Sequence, residues 1–153
     1  MTTALPSFSR HSYEVSDALQ SEPLPSSVRA SEPGETAREE LLLQKLGIKG
    51  WGRVYHFRNF YQYGWGDGSG KALSPRALEA FFEFLKSASF PGAVPPSVFL
   101  TDGGGLELCW EEDGKRPVQL EFSSSGIGVY RDKTGTEKVF GLTEASELAR
   151  WVN

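Results

Sequence analysis

The feature that most constrains the fold of this chain is a run of alternating apolar and polar residues in its last third. Apolar residues occupy every second position in 106–110 and again in 118–122. Successive side chains of a strand point to opposite faces, so this pattern predicts a sheet with one buried and one polar face. Short turns such as Glu112-Asp113-Gly114-Lys115 separate the runs. We therefore expect four or five short strands in an antiparallel meander.

A helical stripe earlier in the chain is the expected cover for the buried face. Ser74-Pro75 favours a helix start, with serine as the N-cap and proline at the first helical position. Four apolar residues follow at helical spacing: Leu78, Phe81, Phe82 and Leu85. A last helix, capped by Thr143, is expected to add a further apolar face. The predicted fold class is α+β: a two-layer sandwich in which helices cover one face of an antiparallel β-meander.

The segment before this stripe predicts one more helix and one more strand. Thr36 and Glu39 have the spacing of a capping box, and Gly47 is a typical helix stop, so we expect a helix over 37–46. Residues 53–58 are rich in aromatic and β-branched side chains and favour a strand, followed by irregular chain.

The first 35 residues differ from the rest in composition. They contain eight Ser and four Pro, with two Arg against five Asp or Glu. Such a segment buries too little apolar surface to offset its chain entropy. We interpret 1–35 as a tail that is disordered or becomes ordered on a partner, and 36–153 as a single domain. A short amphipathic stretch around Tyr13 to Leu19 is the part of the tail that would fold on binding.

Composition excludes several classes of function and site. The net charge of −4 disfavours bulk attraction to nucleic acid or to an anionic membrane. A single cysteine, Cys109, excludes an intramolecular disulfide and favours a reducing compartment. No apolar run approaches the roughly 18 residues that span a bilayer. We expect a cytoplasmic protein with no membrane partner.

The glycine-rich stretch G-W-G-D-G-S-G-K-A-L-S-P at 64–75 fails as a nucleotide-binding motif. A phosphate-binding loop needs glycine where Trp65 stands and a hydroxyl where Ala72 stands. A dinucleotide fingerprint would need glycine at Ser69. We expect no nucleotide cofactor, and interpret the stretch as a mobile contact loop that presents Trp65 and Asp67.

Other chemistry-bearing residues also lack a catalytic arrangement. Cys109 lies in a predicted strand, without a neighbouring cation or helix N-terminus to activate it. His56 lies between two aromatic residues of a predicted strand, and no close His/Cys spacing indicates a metal site. Carboxylates are expected on the solvated face and turns of the meander. A hydrolase would need two of them close together and buried in a cleft. The acidic residues in question are Glu107, Glu111, Glu112, Asp113 and Glu121.

Residues 65–122 resemble a loose group of small, mostly uncharacterised bacterial proteins. The group has the pattern W-D-G-x-G … I-S … A … F-L … P-x-V … T-x-D-G-G-x-x-L-x-W. This chain departs from it by the insertion of Gly66 within the W-D-G unit. Such proteins are often accessory partners in mobile or defence-related loci, so the resemblance implies an interaction role and carries no catalytic residues. The matching residues here are Trp65, Asp67, Gly68, Gly70, Leu73, Ser74, Pro75, Ala77, Ala80, Phe84, Leu85, Pro96, Ser97, Val98, Thr101, Asp102, Gly103, Gly104, Leu106, Glu107, Leu108 and Trp110.

We therefore expect a non-enzymatic protein of a bacterial or phage system that binds and neutralises another protein, as an antitoxin, immunity or anti-defence protein does. The partner would be a toxin or defence effector with a basic surface. The expected contact residues are Tyr13, Leu19, Trp65, Asp67, Glu107, Glu111 and Glu121.

The alternative is a nucleic-acid-binding regulator that uses the basic and aromatic segment 49–63. Bases can stack on aromatic side chains that alternate with basic ones. Its expected contacts are Arg53, Tyr55, Arg58 and Tyr61.

Overall fold

The computed structural model describes residues 33–90 and 92–153. Most of the predicted tail, including Tyr13 and Leu19, lies outside the described residues. Residues Ala37–Asn153 form one compact unit. The helices are α1 (Pro33–Phe60), α2 (Pro75–Ser87) and α3 (Ala145–Val152), and the strands are β1 (Ser97–Leu100), β2 (Leu106–Glu112), β3 (Arg116–Phe122), β4 (Ile127–Arg131) and β5 (Thr136–Phe140).

The five strands form one antiparallel sheet in the order β1-β2-β3-β4-β5. Every strand pairs with its neighbours in sequence, because each connection is a short turn. The register aligns a fully buried apolar row across the middle of the sheet, in which Leu108 is opposite Leu120, and Leu120 is opposite Val129. The helices lie on this side of the sheet. The structure thus confirms the predicted α+β fold.

Helix α2 begins and packs as its sequence predicts. Ser74 is the N-cap, and its Oγ accepts a hydrogen bond from the Ala77 amide at 3.3 Å. Phe81 of the apolar stripe packs on the sheet, and so does Phe84, which the predicted stripe omits: their ring centroids lie 5.4 and 5.5 Å from that of Phe122. Burial of large aromatic side chains supplies much of the energy that fixes a helix on a sheet.

Helix α1 corrects two predictions. It runs from Pro33 to Phe60, so the end at residue 46 and the strand over 53–58 were both wrong, and Thr36 lies inside the helix rather than at its cap. Gly47 does adopt a left-handed conformation (φ 74°), but the helix resumes after it as a kinked second half. Aromatic and β-branched residues favour strands only weakly, and here tertiary packing overrides that preference. The buried side of the second half has helical spacing: Leu46, Gly50, Val54, Phe57 and Tyr61.

The two halves of α1 contact different parts of the domain. In the first half, Arg38 forms an ion pair with Glu79 at 2.6 Å, and Lys45 Nζ donates to the Ala88 carbonyl oxygen at the end of α2 at 2.5 Å. A cation at a helix C-terminus satisfies a carbonyl that has no partner within the helix. In the second half, Arg53 Nη1 donates to the Val98 carbonyl oxygen of β1 at 3.0 Å. The kink thus lets one helix contact both α2 and the edge of the sheet.

The C-terminal helix starts differently from the prediction. Thr143 lies within a short 3₁₀ turn, Leu142–Glu144, and does not cap α3. The turn is closed instead by Glu144, whose Oε1 accepts a hydrogen bond of 2.7 Å from the Gly141 amide. Trp151 of α3 packs on Phe140, with ring centroids 5.8 Å apart. The end of the chain is thereby fixed against β5.

Candidate functional site

The face of the sheet opposite α2, which we call the open face, carries four carboxylates. Strand alternation and register place Glu107, Glu111, Glu121 and Glu137 on it. The three basic residues of the strands, Arg116, Arg131 and Lys138, occupy positions on the opposite side. Within the described strands, therefore, no Lys or Arg occupies an open-face position. The other open-face positions hold Ser97, Phe99, Cys109, Pro117, Gln119, Gly128, Tyr130 and Val139.

A like-charge pair lies at the centre of the open face. Glu107 of β2 is directly opposite Glu121 of β3. Carboxylates in this position repel each other and destabilise the sheet slightly. Glu107 accepts a short hydrogen bond of 2.5 Å from Gln119 Nε2, which orients its carboxylate without neutralising it. The fold therefore keeps two negative charges side by side on an accessible surface.

Cys109 lies next to this pair as a protonated thiol. Burial, and then the nearby Glu107 carboxylate, raise the pKa of Cys109 to about 12. Its Sγ donates a weak hydrogen bond of 3.7 Å to Glu107 Oε1. A thiol that stays protonated at neutral pH is a poor nucleophile. Cys109 thus contributes a donor to the acidic centre rather than a reactive group.

The margins of the open face differ from its centre. At the β1 margin, the Arg53 guanidinium lies 5.0 Å from the ring centroid of Phe99. At the β5 margin, Glu137 is accompanied by two exposed apolar side chains: Tyr130 is 36% exposed and Val139 is 77% exposed. Tyr130 donates its hydroxyl to Asp132 Oδ1 at 3.0 Å, so its ring has a fixed orientation. The open face thus has an acidic centre with an aromatic and aliphatic border.

The glycine-rich loop is closed by its own hydrogen bonds. Trp65 pairs with Gly70 as an isolated β-bridge, and its indole Nε1 donates to the Lys71 carbonyl oxygen at 2.6 Å. A side chain at Gly70 would approach the Trp65 ring to 2.5 Å, so only glycine fits under the indole. Asp67 is exposed at the tip, where its Oδ1 accepts from the Ser69 hydroxyl at 2.6 Å. The Trp65 ring thus folds back over Gly70 and stays partly exposed, and partner contact at Trp65 and Asp67 stays a prediction.

The residues expected to contact nucleic acid do not share one surface. Tyr61 is buried, with 2% of its surface exposed, and Arg53 is engaged at the β1 margin. Tyr55 is exposed and stacks on Trp51 with centroids 5.7 Å apart. Arg58 is exposed further along the same helix.

Glu112 corrects the expectation of a wholly solvated acidic set. Both of its oxygens accept hydrogen bonds from Arg131, at distances of 2.6 to 3.1 Å, and its side chain is only 13% exposed. These hydrogen bonds lower the pKa of Glu112. Arg131 Nη1 also donates to the Trp151 carbonyl oxygen at 3.3 Å. The pair therefore fastens α3 to the sheet.

The alternation of apolar and polar residues in the sequence predicts Glu107, Glu111 and Glu121 on one face. It did not predict Glu137 on that face or the exposed apolar residues at the β5 margin. The pattern T-E-K-V-F shows no apolar–polar alternation, because Glu137 shares its face with apolar Val139, so local sequence gives no signal for the face of Glu137. Its alignment with Tyr130 depends on the β4–β5 register, which local sequence does not specify.

In the part of the chain that the structure describes, neither a metal-binding cluster nor a membrane-spanning helix is found. Residues 33–90 and 92–153 contain no group of three or more His, Cys, Asp or Glu side chains placed to hold a metal ion. In the same residues, no helix combines the length and apolar character needed to cross a membrane. Compared with protein-family models, with curated proteins and with solved structures, the chain has no match.

Proposed function

We propose that this chain is a protein-binding protein that docks a basic surface of another protein onto its open face. The observation that carries the proposal is the strand register, which gathers four glutamates and no basic residue at the strand positions of one exposed face. The repulsion within the Glu107–Glu121 pair supports it. A basic side chain from a partner would relieve that repulsion as it binds.

The physical character of the face suits a partner whose surface is rich in Arg or Lys. Charge-assisted hydrogen bonds between guanidinium or ammonium groups and carboxylates are stronger than neutral ones. Complementary charge also speeds encounter and selects against acidic partners. Tyr130 and Val139 add apolar contact at the margin, and tyrosine is among the residues that most often carry interface energy.

The biological role we propose is that of a bacterial or phage system: neutralisation of a toxin or defence effector in the bacterial cytoplasm. The resemblance of residues 65–122 to accessory proteins of mobile and defence loci supports this role. The net charge of −4 supports it as well, because an acidic inhibitor attracts a basic effector.

Capture from a lysate of the source cells, with matched charge variants, tests the proposal. The test variant is Glu111→Gln/Glu121→Gln, which removes two exposed open-face charges. The control is Glu40→Gln/Glu147→Gln, which removes two exposed charges elsewhere. We expect wild type and control to retain one protein in stoichiometric amount, and the test variant to lose it. Equal retention by both variants would refute docking at the open face.

The nucleic-acid alternative rests on the stack of exposed Tyr55 on partly buried Trp51, on the same helix as Arg58, because bases can stack on such aromatic side chains. We place it second because Arg53 and Tyr61 are engaged elsewhere. A mobility-shift assay with single-stranded RNA and DNA at low salt tests it. A shift abolished by Tyr55→Ala would favour this function over protein binding.

A further inference from the structure

The two edges of the sheet are not equivalent. At β1, the outward carbonyl of Val98 accepts a hydrogen bond from Arg53 in the second half of α1. β5 is the strand at the other end of the sheet, and its residues Glu137, Lys138 and Val139 are all exposed. An unpaired strand edge offers amide and carbonyl groups to any extended chain of suitable sequence.

The backbone geometry of β5 identifies which groups face outwards. The Phe140 carbonyl oxygen lies 3.1 Å from the position that a Cβ on Gly126 would take, so it points towards the β4 side. In an antiparallel ladder, residues alternate between pairing with the neighbouring strand and facing away from it. Lys138 therefore bonds to β4, and Glu137 and Val139 direct their amides and carbonyls outwards. Among the described residues, no hydrogen bond to these outward groups is formed.

Lys138 does not shield this edge. Lysine on an edge strand commonly blocks pairing with another chain. Here its Nζ lies 4.8 Å from the Phe140 ring centroid and 5.8 Å from that of Trp151, so the side chain is drawn to the helix side. Within residues 33–90 and 92–153, the outward groups of Glu137 and Val139 are thus left accessible.

We propose that β5 accepts an extended basic segment of the partner as a sixth strand of the sheet. This inference rests on the proposed function and specifies how the partner binds. The side chain opposite Glu137 on the open face would be Lys or Arg, and the one opposite Val139 would be apolar. Both positions lie on one face, so the two side chains of the segment that face them are two residues apart. Main-chain hydrogen bonds supply affinity in such complexes, and alternate side chains supply specificity.

A second copy of this chain fits the edge less well. A two-fold axis perpendicular to the sheet pairs residues that lie on the same face. Centred on Glu137 or on Lys138, the axis places two like charges directly opposite each other, which is unfavourable. Centred on Val139, it pairs Glu137 with Gly141, beyond the end of the strand. Charge and register thus favour a basic partner segment over self-association.

The experiment titrates the isotope-labelled full chain with a synthetic peptide of about eight residues, a length matched to a short strand. Lysine and valine take turns at every second position of this peptide, with threonine between them (K-T-V-T-K-T-V-T), so that one face presents both side chains. A second peptide has the same side chains but carries N-methyl groups on the alternate amides that would face β5. We expect the first peptide to bind, to shift the amide resonances of Glu137 and Val139, and to slow their hydrogen exchange. The N-methylated peptide should bind at least about tenfold more weakly, because it cannot form the ladder.

Equal binding of the two peptides would overturn strand addition while leaving charge-driven docking at the open face intact. Resonance shifts confined to Glu107, Glu111 and Glu121 would have the same meaning. No binding of either peptide, or a dimer of the free protein that dissociates on Val139→Pro substitution, would also overturn the proposal. Val139→Pro is a suitable edge variant because the Val139 amide faces outwards, so proline there removes no hydrogen bond to β4. Val139→Glu, which opposes an incoming strand without proline, repeats the test if the proline variant does not fold.

Discussion

Replacement of Glu121 by lysine should stabilise the free protein while it weakens partner binding. Glu121 is directly opposite Glu107, and the side chain at this position is exposed. Two charges about 6 Å apart interact by about 0.7 kcal/mol in water and about 3 kcal/mol at an effective dielectric constant of about 20. Because one carboxylate is exposed, the lower value is the better guide, and measured cross-strand pairs contribute about 0.2–1 kcal/mol.

Glu121→Lys turns repulsion into attraction, so we expect a gain of about 1 kcal/mol, which corresponds to about 2–4 °C in Tm for a chain of this size. Thermal unfolding at low and high salt measures it, and the gain should shrink at high salt because exposed charges are screened. The control, Glu40→Lys, makes the same change in net charge on α1. A Glu121→Lys protein that is less stable than the control at low salt would refute the reasoning.

Three further predictions concern the rest of the domain. Gly70→Ala should cost about 1–3 kcal/mol, because its Cβ would meet the Trp65 ring at 2.5 Å; urea unfolding and tryptophan fluorescence measure the loss and the displaced indole. Arg131→Met should cost about 1–3 kcal/mol in urea unfolding, because it leaves the mostly buried Glu112 carboxylate without its partner. Burial lowers the pKa of His56 below 6.5, so the unfolded chain binds a proton more readily than the folded one. Stability should therefore fall as pH drops below about 6.5, and His56→Gln should remove that part of the pH dependence of urea unfolding.

Matched variants separate these effects from general damage. Gly103→Ala adds a methyl group in open space and should be close to neutral, so an equal loss there would contradict the packing account of Gly70. Lys133→Ala removes an exposed ion pair of 3.4 Å with Asp113 and should change stability by less than about 1 kcal/mol. A His56→Gln protein with an unchanged pH profile would assign the pH dependence to other groups.

The elements that local sequence predicts correctly are those whose burial pattern agrees with their intrinsic preference. In the strands over 106–122 and in the α2 stripe, the burial pattern and the intrinsic preference of the residues agree. The sheet and its covering helix can therefore be predicted from the sequence. In the second half of α1 the two disagree, because Val54, Tyr55 and Phe57 prefer strands while the spacing of its buried residues is helical. Burial of Val54 and Phe57 in the core favours the helix, and the long-range packing that buries them is not visible in local sequence.

The candidate site shows the same division between local and long-range information. Glu107, Glu111 and Glu121 were predicted on a polar face, because alternation alone assigns them to it. Their direct opposition and the addition of Glu137 depend on register across four strands. Glu112 was misassigned because its contact with Arg131 joins residues that are far apart in sequence.

Titration of the captured partner against wild type and Glu111→Gln/Glu121→Gln, at several salt concentrations, tests the central claim most directly. If the open face binds a basic surface, the double variant should bind about tenfold or more weakly, a loss of about 1.4 kcal/mol or more, and its affinity should depend less on salt. The Glu40→Gln/Glu147→Gln control should match wild type. Equal affinity and equal salt dependence for all three proteins would contradict the claim that the open face is the binding surface.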